Sequence, residues 1–194
     1  MAKHKILIAG GGTGGHLFPA LAIGEEIHHR EPGAKIHYVG SNFGLEAKVF
    51  PVKDVWHTLL PIRGFQRGIN LQSLGRNSLL PVRIIRSMLK IRSLMNEFLP
   101  QVVVGTGGYA SALPLYMASK KNNPLPIILQ EQNSYPGMTT RWFADKAKTI
   151  CVAFNDANTH LESDTVFTGN PVRQGIANGN PCLLYTSPSP RDRG

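Results

Sequence analysis

The sequence is poor in cysteine and has no long apolar run. Cys151 and Cys182 are its two cysteines in 194 residues, too few for a disulfide framework, so we expect a reducing cytoplasm. The apolar stretch behind the basic N-terminus stops at Ala9, and we therefore expect no signal peptide. No stretch reaches the roughly 18 apolar residues of a membrane-spanning helix. Any contact with a membrane is expected to be peripheral.

Acidic residues are also scarce, with 12 Asp and Glu against 21 Lys and Arg. Such an excess of positive charge indicates an acidic partner, which leaves nucleic acid, an anionic membrane surface or a phosphorylated substrate. Aromatic residues for base stacking are nearly absent from the most basic stretch, so we expect no nucleic-acid partner. The remaining composition, 42% hydrophobic and 17% charged, is that of a globular domain.

The most basic stretch has no acidic residue between Asp54 and Glu97. Basic side chains beside exposed apolar ones are typical of a surface that meets anionic lipid. Alternatively, the apolar residues form the core face of a long helix, and we favour that interpretation for Ile84, Met88 and Ile91. The residues predicted to form the membrane patch are Arg67, Arg76, Leu79, Leu80, Arg83 and Arg86.

Short apolar runs alternate with helical patterns along the chain, which is typical of βαβ units around a parallel sheet. The fold class is therefore predicted to be α/β, a Rossmann-like doubly wound parallel sheet. Helices are predicted at about 18–30, 80–98 and 109–119. Strands are predicted at 5–9, 36–39, 56–60, 101–104, 126–129, 149–153 and 165–168.

A glycine turn from Gly10 to Gly15 follows the first predicted strand. Glycines let the backbone approach an oxyanion closely, and the next helix directs its free N–H groups to the same place. The turn also matches the dinucleotide pattern G-x-G-x-x-G, but the acid expected about 20 residues on, at the end of the second strand, is missing. The first acid there is Glu46. This segment therefore has three interpretations: an anion-binding site, the cofactor site of a nucleotide-dependent oxidoreductase, or a tight turn that packs the helix against the sheet.

His16 follows that turn directly. Imidazole has a pKa near neutrality, so beside an anion site it suits the removal of a proton from an attacking hydroxyl. The alternative is a polar residue that satisfies an exposed helix end.

A second glycine turn, Gly105–Gly108, is followed by Tyr109 and repeats this arrangement at another strand end. Two such turns suggest a diphosphate ligand, or two ligands that meet over the carboxyl edge of the sheet. The next strand ends there as well, in residues 130–133. These supply one carboxylate and three amides suited to sugar hydroxyls, unless they form an ordinary polar loop.

Four motifs occur in order: GGTGGH at 11–16, GTGGY at 105–109, EQN at 131–133 and GNPVR at 169–173. In sequence and spacing they resemble the GT-B glycosyltransferases that add N-acetylglucosamine to lipid I in peptidoglycan synthesis, over about residues 3–180. The resemblance implies an inverting hexosyltransferase with UDP-N-acetylglucosamine as donor and undecaprenyl-diphosphate-linked MurNAc-pentapeptide as acceptor. It implies no metal and no cofactor. It also implies a peripheral enzyme on the cytoplasmic face of the inner membrane.

The resemblance assigns roles residue by residue. His16 is the candidate catalytic base. The residues that match donor-binding positions are Thr13, Gly14, Gly15, Asn133 and Arg173. Those assigned to the acceptor and its diphosphate are Gly12, Thr106, Gly107, Gly108, Tyr109, Glu131 and Gln132. Gln130 stands where some members have His, and no role is carried onto it.

The resemblance also predicts the domain organisation. Residues 1–165 are expected to form the acceptor-binding domain and 166–180 the start of an interdomain linker, with the donor domain absent and this polypeptide alone inactive. Residues 181–194 resemble a translated sequencing adapter, so we expect a non-native tail. Two other classes stay open beside the transferase, namely the nucleotide-dependent oxidoreductase and a non-catalytic membrane-binding module.

Overall fold

The computed structural model describes residues 4–63, 80–120 and 122–172. Several predictions concern residues outside these ranges. They are the patch residues Arg67, Arg76 and Leu79, the donor residue Arg173, and the tail 181–194.

Seven strands form one parallel sheet in the described part of the chain, in the order β3-β2-β1-β4-β5-β6-β7. Strand order reverses between β1 and β4, and in such sheets ligands bind at the carboxyl ends of the strands beside the reversal. The predicted doubly wound parallel sheet is confirmed. The strands are β1 Lys5–Gly10, β2 Lys35–Ser41, β3 His57–Leu60, β4 Val102–Gly107, β5 Ile127–Glu131, β6 Thr149–Val152 and β7 Thr165–Phe167.

Five α-helices connect these strands within the described ranges: α1 Gly14–Arg30, α2 Glu46–Val52, α3 Leu80–Phe98, α4 Tyr109–Ser119 and α5 Met138–Phe143. Single 3₁₀ segments follow at Ala144–Lys146 and Asn155–His160. The sequence did not predict α2 and α5, because 7 and 6 residues are too few to show a helical period.

Helix α1 begins at Gly14, four residues before the predicted start at Phe18. The sequence predicts a turn at these glycines, yet Gly14 and Gly15 form the first helical positions. Pro19 therefore lies in the second turn of α1. Since proline has no N–H, the carbonyl of Gly15 lacks its usual helical donor.

Two apolar layers cover the sheet, one on each face. In β1, Ile6 and Ile8 face the layer shared with α1 and α2, whereas Leu7 and Ala9 face the layer shared with α3 and α4. This alternation is the two-residue period of a strand. The predicted core face of α3 is confirmed: Ile91 is fully buried, and Ile84 and Met88 are partly buried. The two layers cover both faces of the sheet and leave the carboxyl ends of its strands open for the site.

Candidate functional site

The two glycine turns meet at the carboxyl ends of β1 and β4. Gly10 pairs with Gly107 across these neighbouring strands, after a shift of register between Ala9 and Gly10. The hydroxyl of Thr106 donates a hydrogen bond of 2.8 Å to the carbonyl of His16, which ties the second turn to the start of α1. A Cβ at Gly10 would overlap Thr106 Oγ1. The two motifs, 90 residues apart in sequence, thus form one structure.

His16 lies between the turns, and its ring has a defined orientation. Nδ1 is 3.0 Å from the carbonyl oxygen of Thr106 and 3.0 Å from Oε1 of Gln132. A carbonyl and an amide oxygen can only accept, so Nδ1 carries the hydrogen. No described residue is paired with Nε2, which is therefore the nitrogen that can accept a proton.

A buried amide network fixes the side-chain oxygen that accepts from Nδ1–H of this imidazole. Gln132 Nε2 donates to the carbonyl of Thr106 at 2.8 Å and to the carbonyl of Gln130 at 3.1 Å. It also forms a short hydrogen bond to Oε1 of Gln130. Because the amide nitrogen of Gln132 is engaged in this way, its oxygen is turned towards His16. Gln130, to which the sequence assigned no role, is thus part of the support of the histidine.

Glu131 organises the loop that follows β5. Its carboxylate is 2% exposed and accepts hydrogen bonds from Asn133 N, Asn133 Nδ2 and Gly137 N at 3.1, 2.8 and 2.9 Å. Thr140 Oγ1 donates a fourth bond of 2.6 Å. Most of the accepting capacity of the carboxylate is therefore used inside the protein. Glu131 fixes the loop at the edge of the site and orients the amide of Asn133.

A cavity of about 520 Å³ opens beside His16. One wall is polar and is formed by the second glycine turn, Tyr109 and Glu131. The other wall is largely apolar and leads to α3 and α5. Its residues are Ile62, Arg63, Leu80, Ile84, Ala112, Leu113, Met138 and Trp142. A polar or phosphorylated group can therefore lie against the histidine while an apolar portion of the same ligand extends along α3.

Two glycines are required at this edge by both conformation and space. Gly107 has φ 98°, and a Cβ there would lie 2.8 Å from Nδ1 of His16. Gly12 has φ 95°, and a Cβ there would lie 2.8 Å from the ring of Tyr109. Positive φ and close approach both exclude larger residues. These positions keep the backbone against the two side chains that flank the cavity.

Glu46, which the sequence indicates only as the first acid after the second strand, supports the first glycine turn. Its carboxylate is fully buried and accepts the amide of Gly12 with both oxygens, each at 3.0 Å. The Gly12 amide is therefore engaged inside the protein and does not face the cavity. A buried carboxylate with these partners cannot bind a ribose either. The only acid near the end of β2 thus fails the requirement of a dinucleotide site.

The four described residues assigned to the donor lie on the open rim of this edge. Thr13, Gly15 and Asn133 are exposed and Gly14 is partly exposed. The side chain of Thr13 makes no capping hydrogen bond to α1, so its hydroxyl is available to a ligand.

The profile of the glycosyltransferase family 28 N-terminal domain matches residues 6–152. A curated relative from Flavobacterium psychrophilum is 40% identical over 177 residues, which is 91% of this chain and 47% of the relative. A relative from Bacteroides thetaiotaomicron is 42% identical over 178 residues, covering 91% and 46%. Both are named UDP-N-acetylglucosamine--N-acetylmuramyl-(pentapeptide) pyrophosphoryl-undecaprenol N-acetylglucosamine transferase. The chain spans about half the length of these relatives.

Solved structures show the same fold. The crystal structure of MurG from Acinetobacter baumannii superposes with a TM-score of 0.69 at 24% identity, over 87% of this chain and 46% of that one. A glycosyltransferase from Rickettsia africae ESF-5 gives a TM-score of 0.54 at 17% identity, over 98% and 51%. The predicted fold of a GT-B N-terminal domain is confirmed. The curated relatives are named as N-acetylglucosamine transferases, which does not support the oxidoreductase alternative.

Proposed function

The chain belongs to glycosyltransferase family 28, and on this premise we propose that it is the acceptor-binding half of an inverting N-acetylglucosaminyltransferase. The reaction moves N-acetylglucosamine from UDP-N-acetylglucosamine to the C4 hydroxyl of the MurNAc-pentapeptide of lipid I, which gives lipid II. The names of the curated relatives support both substrates. The proposal is a hexosyl transfer in peptidoglycan and cell-wall synthesis.

The observation that carries this proposal is the orientation of His16. Since Nδ1–H is directed to Thr106 and Gln132, Nε2 takes the proton of the acceptor hydroxyl. The hydroxyl oxygen then forms a bond to the anomeric carbon from the face opposite UDP. The bond from that carbon to the UDP oxygen breaks, and UDP leaves with the electron pair. A positioned base of this kind contributes about 10²–10⁴-fold in rate.

The acceptor diphosphate is proposed to bind at the second glycine turn. Gly107 and Gly108 line the cavity beside His16, and α4 begins immediately after them at Tyr109. The first amides of a helix have no acceptor within the helix, so they suit an anion. Glu131 is proposed to act through the loop it holds, because its carboxylate is already engaged.

The solvent face of α3 is proposed to face the membrane. Leu80 and Ile84 of this helix line the cavity, and on its other face Val82, Ile85 and Leu89 are 47%, 58% and 63% exposed. Arg86, which is exposed on the same helix, adds a positive charge for anionic lipid. None of the helices in the described ranges is long and apolar enough to cross a bilayer. We infer peripheral binding at the cytoplasmic face of the inner membrane, where the lipid-linked acceptor enters the cavity.

The donor is proposed to bind between the exposed rim and a second domain. Thr13, Gly14, Gly15 and Asn133 would contact it from this side, with Arg173 beyond the described residues. The proposed boundaries are 1–165 for the acceptor domain and 166–180 for the start of the linker. The relatives are about twice as long, and their second half is the proposed source of most of the nucleotide site.

The experiment measures transfer of radiolabelled N-acetylglucosamine to a lipid I analogue. The 194-residue chain is assayed alone, and residues 1–172 are assayed after fusion to the C-terminal half of the Bacteroides thetaiotaomicron relative. We expect transfer by the fused protein and none by the chain alone. Transfer by the chain alone would overturn the half-enzyme proposal. A folded fusion that binds UDP-N-acetylglucosamine but transfers nothing would overturn the proposed activity.

A further inference from the structure

Glu46 is a fully buried carboxylate for which the proposed mechanism has no use. It is the first residue of α2 and lies beneath the first glycine turn. None of the ion pairs in the described ranges includes it. Burial of an unpaired carboxylate is costly unless hydrogen-bond donors replace water. The donors that do so here identify what Glu46 does.

Backbone amides are those donors. Gly12 N lies 3.0 Å from both carboxylate oxygens, and Ser41 N lies 2.7 Å from Oε1. Gly12 is in the turn after β1, and Ser41 is the last residue of β2. One carboxylate therefore joins the ends of two neighbouring strands. Hydrogen bonds from backbone amides to an ionised oxygen are about twice as strong as neutral ones.

Three further glycines make room for this side chain. A Cβ on Gly11 or on Gly44 would overlap the carboxylate of Glu46, and a Cβ on Gly40 would overlap its Cγ. The three come from different segments, namely the turn after β1, the end of β2 and the loop before α2. The three glycines together leave the space that the side chain of Glu46 fills. A smaller side chain at position 46 would not need this space.

We propose that Glu46 is the resident anion of the first glycine turn and thereby determines which ligand the site accepts. The turn matches the pattern that holds a pyrophosphate in dinucleotide-binding proteins, but here the Gly12 amide is already donated to a carboxylate. A ligand phosphate is excluded from it by occupancy and by charge. The diphosphate is directed instead to Gly107 and Gly108, beside His16. The identity of that diphosphate rests on the proposed function, whereas the exclusion at Gly12 does not.

The first test is a titration of the ¹⁵N-labelled 194-residue chain with inorganic pyrophosphate, followed by amide NMR. We expect the Gly107 and Gly108 resonances to move and the Gly12 resonance to stay in place. The Gly12 amide should also exchange slowly with solvent, because it is bonded to a buried acceptor. A shift of Gly12 as large as that of Gly107 would overturn the proposal.

The second test removes the resident anion and replaces it from solution. Glu46→Ala leaves a void lined by the Gly12 and Ser41 amides, which formate can fill. We expect formate to raise the Tm of this variant and to shift its Gly12 resonance, with no such effect on the wild type. In formate-free buffer, pyrophosphate should perturb Gly12 at a concentration at least about tenfold lower than in the wild type, since a unit charge has been removed nearby. Formate would also restore the hydrogen bonds of a purely structural carboxylate, so the response of Gly12 to pyrophosphate is the readout that separates ligand exclusion from a structural role.

Glu162→Ala is the matched control, because Glu162 is exposed and far from the turn in sequence. It should respond to neither anion differently from the wild type. If Glu46→Ala is folded and formate changes neither its Tm nor its Gly12 resonance, the proposal is wrong. If the variant does not fold even in formate, the wild-type titration decides. Neither test contains the sugar donor or the lipid-linked acceptor. A failure of glycosyl transfer and a failure of this inference are therefore separate results.

Discussion

His16 and Gln132 share one acceptor, the carbonyl oxygen of Thr106. The imidazole Nδ1 lies 3.0 Å from that oxygen and the side-chain Nε2 of Gln132 lies 2.8 Å from it. The amide oxygen of Gln132 is in turn 3.0 Å from Nδ1. The three groups form a closed set in which Nδ1 of His16, the side-chain amide of Gln132 and the carbonyl of Thr106 are all paired. The tautomer of the histidine is therefore determined by two residues from β4 and the loop after β5, and not by its own helix.

Gln132→Met tests this arrangement with a side chain of similar length that has no hydrogen-bonding amide. Thr106 then loses one donor and His16 one acceptor, so we expect the free energy of unfolding to fall by about 1–3 kcal/mol. Long-range ¹⁵N–¹H NMR of His16 should show a smaller fraction of the Nδ1–H tautomer. Gln101→Met is the control for the tautomer, because Gln101 is exposed at the opposite edge of the sheet and its Oε1 accepts from Lys5 N there. An unchanged tautomer in Gln132→Met would contradict the positioning role.

His16→Gln tests the proposed base in the fused two-domain protein. Glutamine can keep a hydrogen bond at this position but cannot take a proton, so we expect kcat to fall by about 10²–10⁴-fold. The KM for UDP-N-acetylglucosamine should change little, since the donor is bound largely by other groups. His28→Gln, on the exposed end of α1, should leave both constants unchanged. An unaltered kcat in His16→Gln would remove this residue from the mechanism.

Gly107→Ala tests the close approach of the second turn to the histidine. The residue has φ 98°, and the added Cβ would lie 2.8 Å from the His16 ring. We expect a loss of about 1–3 kcal/mol in the free energy of unfolding from the backbone alone, with a displaced His16 ring resonance. Gly137→Ala is the control, because its φ is −62° and a Cβ there meets nothing nearer than 3.7 Å. Equal stability of the two variants would refute the steric argument.

Ile85→Asp tests the membrane surface of α3. Ile85 is 58% exposed, and a carboxylate there removes apolar contact and repels anionic lipid. We expect binding to phosphatidylglycerol vesicles, measured by co-sedimentation, to weaken by at least about tenfold. Arg86→Gln should weaken binding less and reduce its dependence on salt. Val52→Asp on α2, where Val52 is 86% exposed, is the matched control. Vesicle binding by Ile85→Asp at the wild-type level would place the membrane contact elsewhere.

His37 predicts a dependence of stability on pH. Burial, followed by the nearby charge of His57, lowers the pKa of His37 from 6.5 to about 4. Below pH 6.5 His37 therefore binds a proton in the unfolded chain, whereas in the folded chain it binds one only at a lower pH. Stability is fully present above pH 6.5 and is lost as the pH falls towards 4. The loss is about 1–2 kcal/mol, reduced because the ring is only partly buried and water screens it.

Urea denaturation at pH 7 and pH 4.5 measures this effect. His37→Gln should lose less stability than the wild type between the two values, because glutamine does not titrate. The exposed residue His29 provides the control, and His29→Gln should behave as the wild type does. If His37→Gln and the wild type lose equal stability on acidification, the assignment to His37 is wrong.

Strong local patterns explain the parts of the fold that were predicted. Each of the seven strands and the helices α1, α3 and α4 coincides with an apolar run or a helical period. The failures have physical causes as well. The start of α1 was predicted too late, because consecutive glycines are typical of a turn. The helices α2 and α5 are too short to show a helical period. His16 was recognised by its place after a glycine turn, whereas Gln130 was not, because nothing in its neighbourhood distinguishes a support from a polar loop.

The sequence by itself determined the α/β class, the two glycine turns and the family, because these depend on residues that are neighbours in the chain. Only the tertiary structure decided which ring nitrogen of His16 is free, since its partners Thr106 and Gln132 are 90 and 116 residues away. It also decided which group the Gly12 amide of the first glycine turn contacts. The acid that a dinucleotide site needs at the end of β2 is absent there, and Glu46, the next acid along the chain, lies beneath the turn and is bonded to Gly12. Local patterns identify an anion-binding turn, but long-range packing determines which anion occupies it.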